Sequence, residues 1–156
     1  MKRVLIVCTG NICRSPMASG ILRQRLVADG LDGLVSVTSA GVYGIDGSSA
    51  SAPGVEVLAE RGIDISGHIA HTVSEREIAD ADLVLVMEEG HRRTLFYSYP
   101  QYLTKVFLLS EMSGDYGDVK DPYRRPKEEY EICADRLEKL IDDGYDNILK
   151  RLGIAR

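Results

Sequence analysis

Cysteine is scarce in this chain: Cys8, Cys13 and Cys133 are the only three in 156 residues. An odd, small number argues against a secreted scaffold built on disulfides. No apolar run reaches membrane-spanning length, since the longest, Val4 to Cys8, is the size of one strand. Met1-Lys2-Arg3 ahead of that run has the outline of a leader. The run is too short for a signal core, however, and no small-residue cleavage site follows, so the expected setting is the cytoplasm. Positive charge is not in excess either: 19 Lys and Arg stand against 24 Asp and Glu, a net −5. Neither nucleic acid nor an anionic membrane is therefore the expected partner. No group of His, Cys and carboxylates has metal-ligand spacing, and no metal is expected. Repeats, low-complexity tracts and long linkers are missing too, which leaves a single domain over residues 1–156.

An acidic total does not exclude an anionic substrate, because the local field decides. The basic pairs Arg92-Arg93 and Arg124-Arg125 are candidates to supply one.

Apolar stretches alternate with helical patterns along the chain. Residues 3–7, 34–39, 82–87 and 105–109 read as strands. Helices are expected over 15–30, with Ser15 as N-cap and Pro16 at the first helical position, and over 50–61 and 88–97. A last helix follows Pro126 and carries a stripe of Tyr130, Cys133, Leu137, Leu140, Ile141, Ile148 and Leu152. This alternation predicts an α/β fold: a central parallel sheet of four strands with helices on both faces.

The stretch "CTGNICRSP", Cys8 to Pro16, lies where the first strand hands over to the first helix. Ligands of open parallel sheets sit beyond the carboxyl ends of the strands. Here the loop must wrap the positive end of a helix dipole, where backbone N–H groups converge on an anion, and Gly10 is expected to ease the curl. The same field favours the thiolate form of Cys8. Arg14 closes the loop with a planar fork that matches two oxygens of a phosphate. A thiolate nucleophile, an amide cradle and a bidentate cation make a phosphoryl-transfer site. The competing reading of Cys8 is a small buried hydrophobe at a strand end.

These residues resemble the signature of the low-molecular-weight protein tyrosine phosphatases, C-x5-R-S with Gly and Asn inside the loop. "TSAG" (Thr38–Gly41), "GH" (Gly67-His68) and "DPY" (Asp121–Tyr123) match further family segments in order. The resemblance implies that Cys8 attacks phosphorus to form a phosphocysteine, that Arg14 holds the phosphoryl oxygens, and that Asp121 is the general acid and base. It places Thr9, Gly10, Asn11, Ile12, Cys13 and Ser15 in the phosphate-binding loop, with the Ser15 hydroxyl on the thiolate. Asn11, Ser39 and His68 become a supporting network, and Cys13 a reversible disulfide partner of Cys8.

Each role has a plainer rival: a turn aspartate for Asp121, a half-buried histidine for His68, a packing cysteine for Cys13. Cys133 is expected in the core. Ile12, Tyr43 and Tyr123 are the expected walls of an aryl-phosphate slot, although Tyr43 reads equally as a surface residue. Arg124 stands where many members carry a second aromatic. Ile12 stands where the arginine-phosphatase branch carries threonine, which favours phosphotyrosine over phosphoarginine.

The implied partner is a phosphotyrosine protein, with a cognate tyrosine kinase as a further one, acted on by a monomer without a cofactor. Three alternatives share the loop: a protein arginine phosphatase, an arsenate reductase, and a phosphocysteine carrier that does not hydrolyse. No cysteine lies between Ala79 and Gly90 to relay electrons for the second. The third has no need of Asp121. A non-catalytic anion-binding domain, with an unreactive Cys8, is a further reading from a different class.

Overall fold

A computed structural model describes residues 1–155, so the last position of the expected 1–156 span lies outside it. Four strands form one parallel sheet in the order β2-β1-β3-β4: β1 (Lys2–Cys8), β2 (Val35–Gly41), β3 (Leu83–Val86) and β4 (Val106–Leu108). All four expected strands are present, each shifted by a residue or two.

The helices are α1 (Arg14–Ala28), α2 (Ala52–Ala59), α3 (Glu75–Asp80), α4 (Glu89–Ser98), α5 (Leu109–Ser113) and α6 (Lys127–Arg151). A 3-10 turn, Pro100–Lys105, leads into β4. The short α3 and α5 went unforeseen, being too brief to show a helical period. α3 is fixed by reciprocal hydrogen bonds: Glu77 N donates to Ser74 Oγ at 3.2 Å and Ser74 N to Glu77 Oε1 at 3.0 Å.

Alternation along β1 and β3 builds two cores. Val4, Ile6, Leu83 and Leu85 pack with Met17, Leu22, Leu137 and Ile141 under α1 and α6. Leu5, Val7, Val84 and Val86 pack on the other face with Ile78 of α3 and Leu95 of α4. Burial on both faces is why these strands read as continuous apolar runs. Each such side chain removed from water contributes about 1.5–3 kcal/mol. Cys133 joins the first core on the α6 stripe, as expected. Tyr99 and Tyr102 pack against the second, while Tyr97 is exposed. No helix among the described residues is long and apolar enough to cross a membrane.

The strand order reverses direction between β1 and β3. Their carboxyl ends, Cys8 and Val86, flank the crevice where such sheets bind ligands.

Candidate active site

The loop from Cys8 to Arg14 is held from outside by its own carbonyls. Those of Cys8, Thr9 and Gly10 accept from Val42 N (2.9 Å), Tyr43 N (3.0 Å) and Ile45 N (3.0 Å). The Asn11 carbonyl accepts from His68 Nε2 (2.7 Å), and that of Ile12 from Ser51 N (2.7 Å). A trans peptide points its N–H away from its carbonyl. The amides of Thr9 to Cys13 therefore face inward, and the start of α1 adds its positive end.

The residue that takes the strained turn is Asn11, with φ 60, rather than Gly10, whose φ is not positive. Asparagine tolerates this region because its short amide bonds locally. Here Asn11 Nδ2 donates to Ser15 Oγ (2.8 Å) and Ser39 Oγ (3.0 Å), and Oδ1 accepts from His71 N (3.1 Å). His68, whose Nε2 must carry a proton to donate to a carbonyl, is lowered in pKa mainly by burial.

Ser15 corrects another expectation. α1 starts at Arg14 with Cys13 at its cap and no side-chain cap bond, so Ser15 lies inside the first turn. Its Oγ accepts from Asn11 Nδ2 (2.8 Å) and lies 3.0 Å from Cys8 Sγ, within hydrogen-bond reach. Cys13 instead contacts the Tyr130 hydroxyl (3.5 Å), which bonds Ser51 Oγ (2.7 Å). Burial pushes the Cys13 thiol up to about 11.

Arg14 is 1% exposed. Its Nη1 donates to Glu88 and to the Val119 carbonyl (2.8 Å), and its Nη2 to Thr9 Oγ1 (3.3 Å); Asp121 Oδ2 lies 3.5 Å from Nη2. Burial opposes its charge, but the Glu88 hydrogen bond, with Cys8 and Asp121, outweighs burial and raises its pKa. Nε is buried without a protein partner. With Nη1 anchored, the Nε and Nη2 side of the fork is the one left for a ligand.

Above the loop opens a cleft of about 130 Å³, lined by Cys8, Ile12, Arg14, Tyr43, Ile45, Asp121 and Tyr123. Asp121 is carried by a segment tied to the end of β3, where Val119 N donates to the Met87 carbonyl (2.9 Å). The Tyr123 N–H donates to Asp121 Oδ1 at 3.0 Å. Among the described residues no His, Cys, Asp and Glu are grouped to hold a metal ion.

Residues 3–152 match the family model described as low molecular weight phosphotyrosine protein phosphatase. The chain belongs to this family. It is 39% identical over 142 residues to the probable low molecular weight protein-tyrosine-phosphatase EpsP of Ralstonia nicotianae, covering 91% of this chain and 92% of that one. It is 40% identical over 141 residues to the protein-arginine-phosphatase of Geobacillus stearothermophilus, covering 90% and 91%. The crystal structure of the low molecular weight protein tyrosine phosphatase from T. tengcongensis superposes with a TM-score of 0.89 at 47% identity, over 94% of this chain and 99% of that one.

In this phosphatase the structure brings Cys8 to Ser15, Ser39, His68, Tyr43, Asp121 and Tyr123 to one cleft or its supporting shell. Tyr43 lines the cleft while 70% exposed. Arg92 does not: it pairs with Glu89 and Glu111. Two contributors, Glu88 and His91, went unnoticed in the sequence, and Gly41 was marked only as the end of "TSAG". Glu88 and His91 flank Arg14 and Thr9 from the start of α4. Gly41 lets β2 pass the loop, since a Cβ there would sit 2.4 Å from the Thr9 carbonyl oxygen.

His91 is 4% exposed; its Nδ1 accepts from Glu88 N (3.2 Å), so Nε2 carries the proton and donates to Thr9 Oγ1 (2.8 Å). Burial, then the Arg14 charge, lowers its pKa to about 4. The signal for Glu88 and His91 was positional: they follow the strand that neighbours β1 at the crevice.

Proposed function

We propose that this phosphatase hydrolyses phosphotyrosine in proteins through a phosphocysteine. The observation that carries the reading is the convergence, in one cleft, of Cys8 Sγ hydrogen-bonded with Ser15 Oγ, an inward amide ring around the Arg14 fork, and Asp121 on the facing wall. The phosphoryl oxygens take the inward amides and the Nε and Nη2 side of Arg14. Cys8 sulfur attacks phosphorus as the bond to the tyrosyl oxygen breaks, and Asp121 protonates that oxygen. Water then attacks phosphorus, Asp121 takes its proton, and the P–S bond breaks to return thiolate and release phosphate. Amides and guanidinium are placed for the equatorial oxygens throughout.

The roles of Ser15 on the thiolate, of Asn11, Ser39 and His68 in holding the loop, and of Ile12, Tyr43 and Tyr123 as slot walls belong to the same reading. So do a cytoplasmic setting, a monomer, and a cognate tyrosine kinase as partner. A Cys8–Cys13 disulfide as oxidative protection belongs to it too.

The arginine-phosphatase relative supports a second reading. Phosphoarginine brings several N–H donors into the slot, and the walls Ile12, Ile45, Tyr43 and Tyr123 offer them little beyond Asp121. Apolar and aromatic walls suit an aryl ring instead. Rates on matched phosphotyrosine, phosphoserine and phosphoarginine peptides, with Cys8→Ser as control, separate the two. Phosphotyrosine should lead, and Asp121→Ala should slow poor leaving groups about 10²–10⁴-fold while sparing activated ones. A phosphoarginine lead overturns the reading, as does equal loss for both kinds of leaving group.

A further inference from the structure

Arg124 is held in a left-handed backbone conformation, φ 63, where an L side chain is strained. It is the third residue of a turn that Arg125 N closes on the Pro122 carbonyl at 2.9 Å, the position where such turns favour glycine. Its guanidinium stacks 5.2 Å from the centroid of Tyr123, which lines the cleft. Both Arg124 and Arg125 are exposed, and neither has a carboxylate partner among the described residues. Arg14, Arg25, Arg61, Arg92 and Arg136 are all ion-paired. Arg124, strained and stacked on an aromatic ring, and Arg125 beside it thus form an unpaired cation pair next to Tyr123 of the cleft wall, in a protein with net charge −5.

We propose that Arg124, with Arg125 beside it, determines specificity by reading an acidic side chain within two positions of the phosphotyrosine. This rests on the tyrosine-phosphatase reading. The stack on Tyr123 restrains the guanidinium while its hydrogen-bonding edge stays open to a carboxylate. A phosphotyrosine lying against Tyr123 leaves its backbone at the cleft mouth, and neighbouring residues follow at about 3.8 Å per Cα. Glycine at 124 would make the turn without strain, so the outlier is accounted for by what its side chain does at the lip.

The test compares kcat/KM on matched phosphotyrosine peptides carrying Glu, Gln or Lys on either side, with phosphoarginine peptides in the same panel. The wild type should favour Glu over Gln about three- to tenfold at low salt, chiefly through KM, and the preference should shrink in 0.5 M salt, on the order expected for a partly exposed ion pair. Arg124→Gln, which keeps a polar L side chain at the turn but removes the charge, should bring the Glu to Gln ratio to about one. Arg124→Gly should do the same while raising Tm by about 2–4 °C as strain is relieved. A wild-type ratio near one, or an unchanged ratio in Arg124→Gln, overturns the proposal while leaving the tyrosine reading standing. Hydrolysis of phosphoarginine peptides alone overturns both.

Discussion

Replacing His91 with glutamine gives a sharp test of the buried network beside Arg14. Glutamine retains an N–H donor toward Thr9 but does not titrate. In the wild type, burial and then Arg14 hold His91 neutral down to about 4, against the ordinary 6.5 that the unfolded chain keeps. Between those values the unfolded state binds a proton that the folded state refuses, so stability must fall as pH drops from 6.5 and level off below 4. At pH 5 the unfolded imidazole is nearly all protonated, while the folded one is about one-tenth protonated. The linkage then costs about 2 kcal/mol relative to pH 7, rising to about 3 kcal/mol at pH 4. Urea denaturation of wild type and His91→Gln at pH 7, 6, 5 and 4.5 reads the difference, because titrating carboxylates are common to both. The wild type should lose about 2 kcal/mol more than the variant between pH 7 and pH 5. Parallel pH profiles would refute the neutral, Nε2-protonated histidine and with it the donated bond to Thr9.

Gly41→Ala should collide with the Thr9 carbonyl and the Asn11 amide, 2.4 and 3.0 Å from the new Cβ. Both are backbone, so a loss of about 1–3 kcal/mol and at least tenfold weaker binding of inorganic phosphate are expected by denaturation and calorimetry; near-normal phosphate binding would contradict the close approach. Iodoacetamide near neutral pH should label Cys8 first, with inorganic phosphate protecting it. Burial holds Cys13 at about 11 and Cys133 at about 12. Prior labelling of Cys13, seen by peptide mass mapping, counts against the assignment. Asn11→Ala leaves the His71 amide unpaired and a methyl side chain in a left-handed turn, for about 2–3 kcal/mol of lost stability by urea melting. A loss under 0.5 kcal/mol would show the turn held by something other than this side chain.

Much of the architecture was legible because burial on both faces writes itself as apolar runs. "RVLIV", "DLVLVM" and "KVFLL" each became strands, and the α6 stripe kept its period over 25 residues. Local chemistry was legible as well: a cysteine at a strand end, an arginine at the next helix start and an Asp-Pro turn are identities that no packing alters. What could not be read was which residue bends and which proton points where. Gly10 looked like the hinge by composition, yet the left-handed residue is Asn11, because only the tertiary structure supplies Ser15, Ser39 and the His71 amide as its partners. Ser15 read both as a cap and as a partner of the Cys8 sulfur; the fold drops the cap, because α1 begins at Arg14, and keeps Ser15 Oγ 3.0 Å from Cys8 Sγ. Glu88 and His91 carry no motif, and their bonds to Arg14 and Thr9 span 74 and 82 residues of sequence. Periodicity and residue chemistry are local properties of a chain. Hydrogen-bond partnership across a crevice exists only once the sheet order has brought the ends of β1 and β3 together.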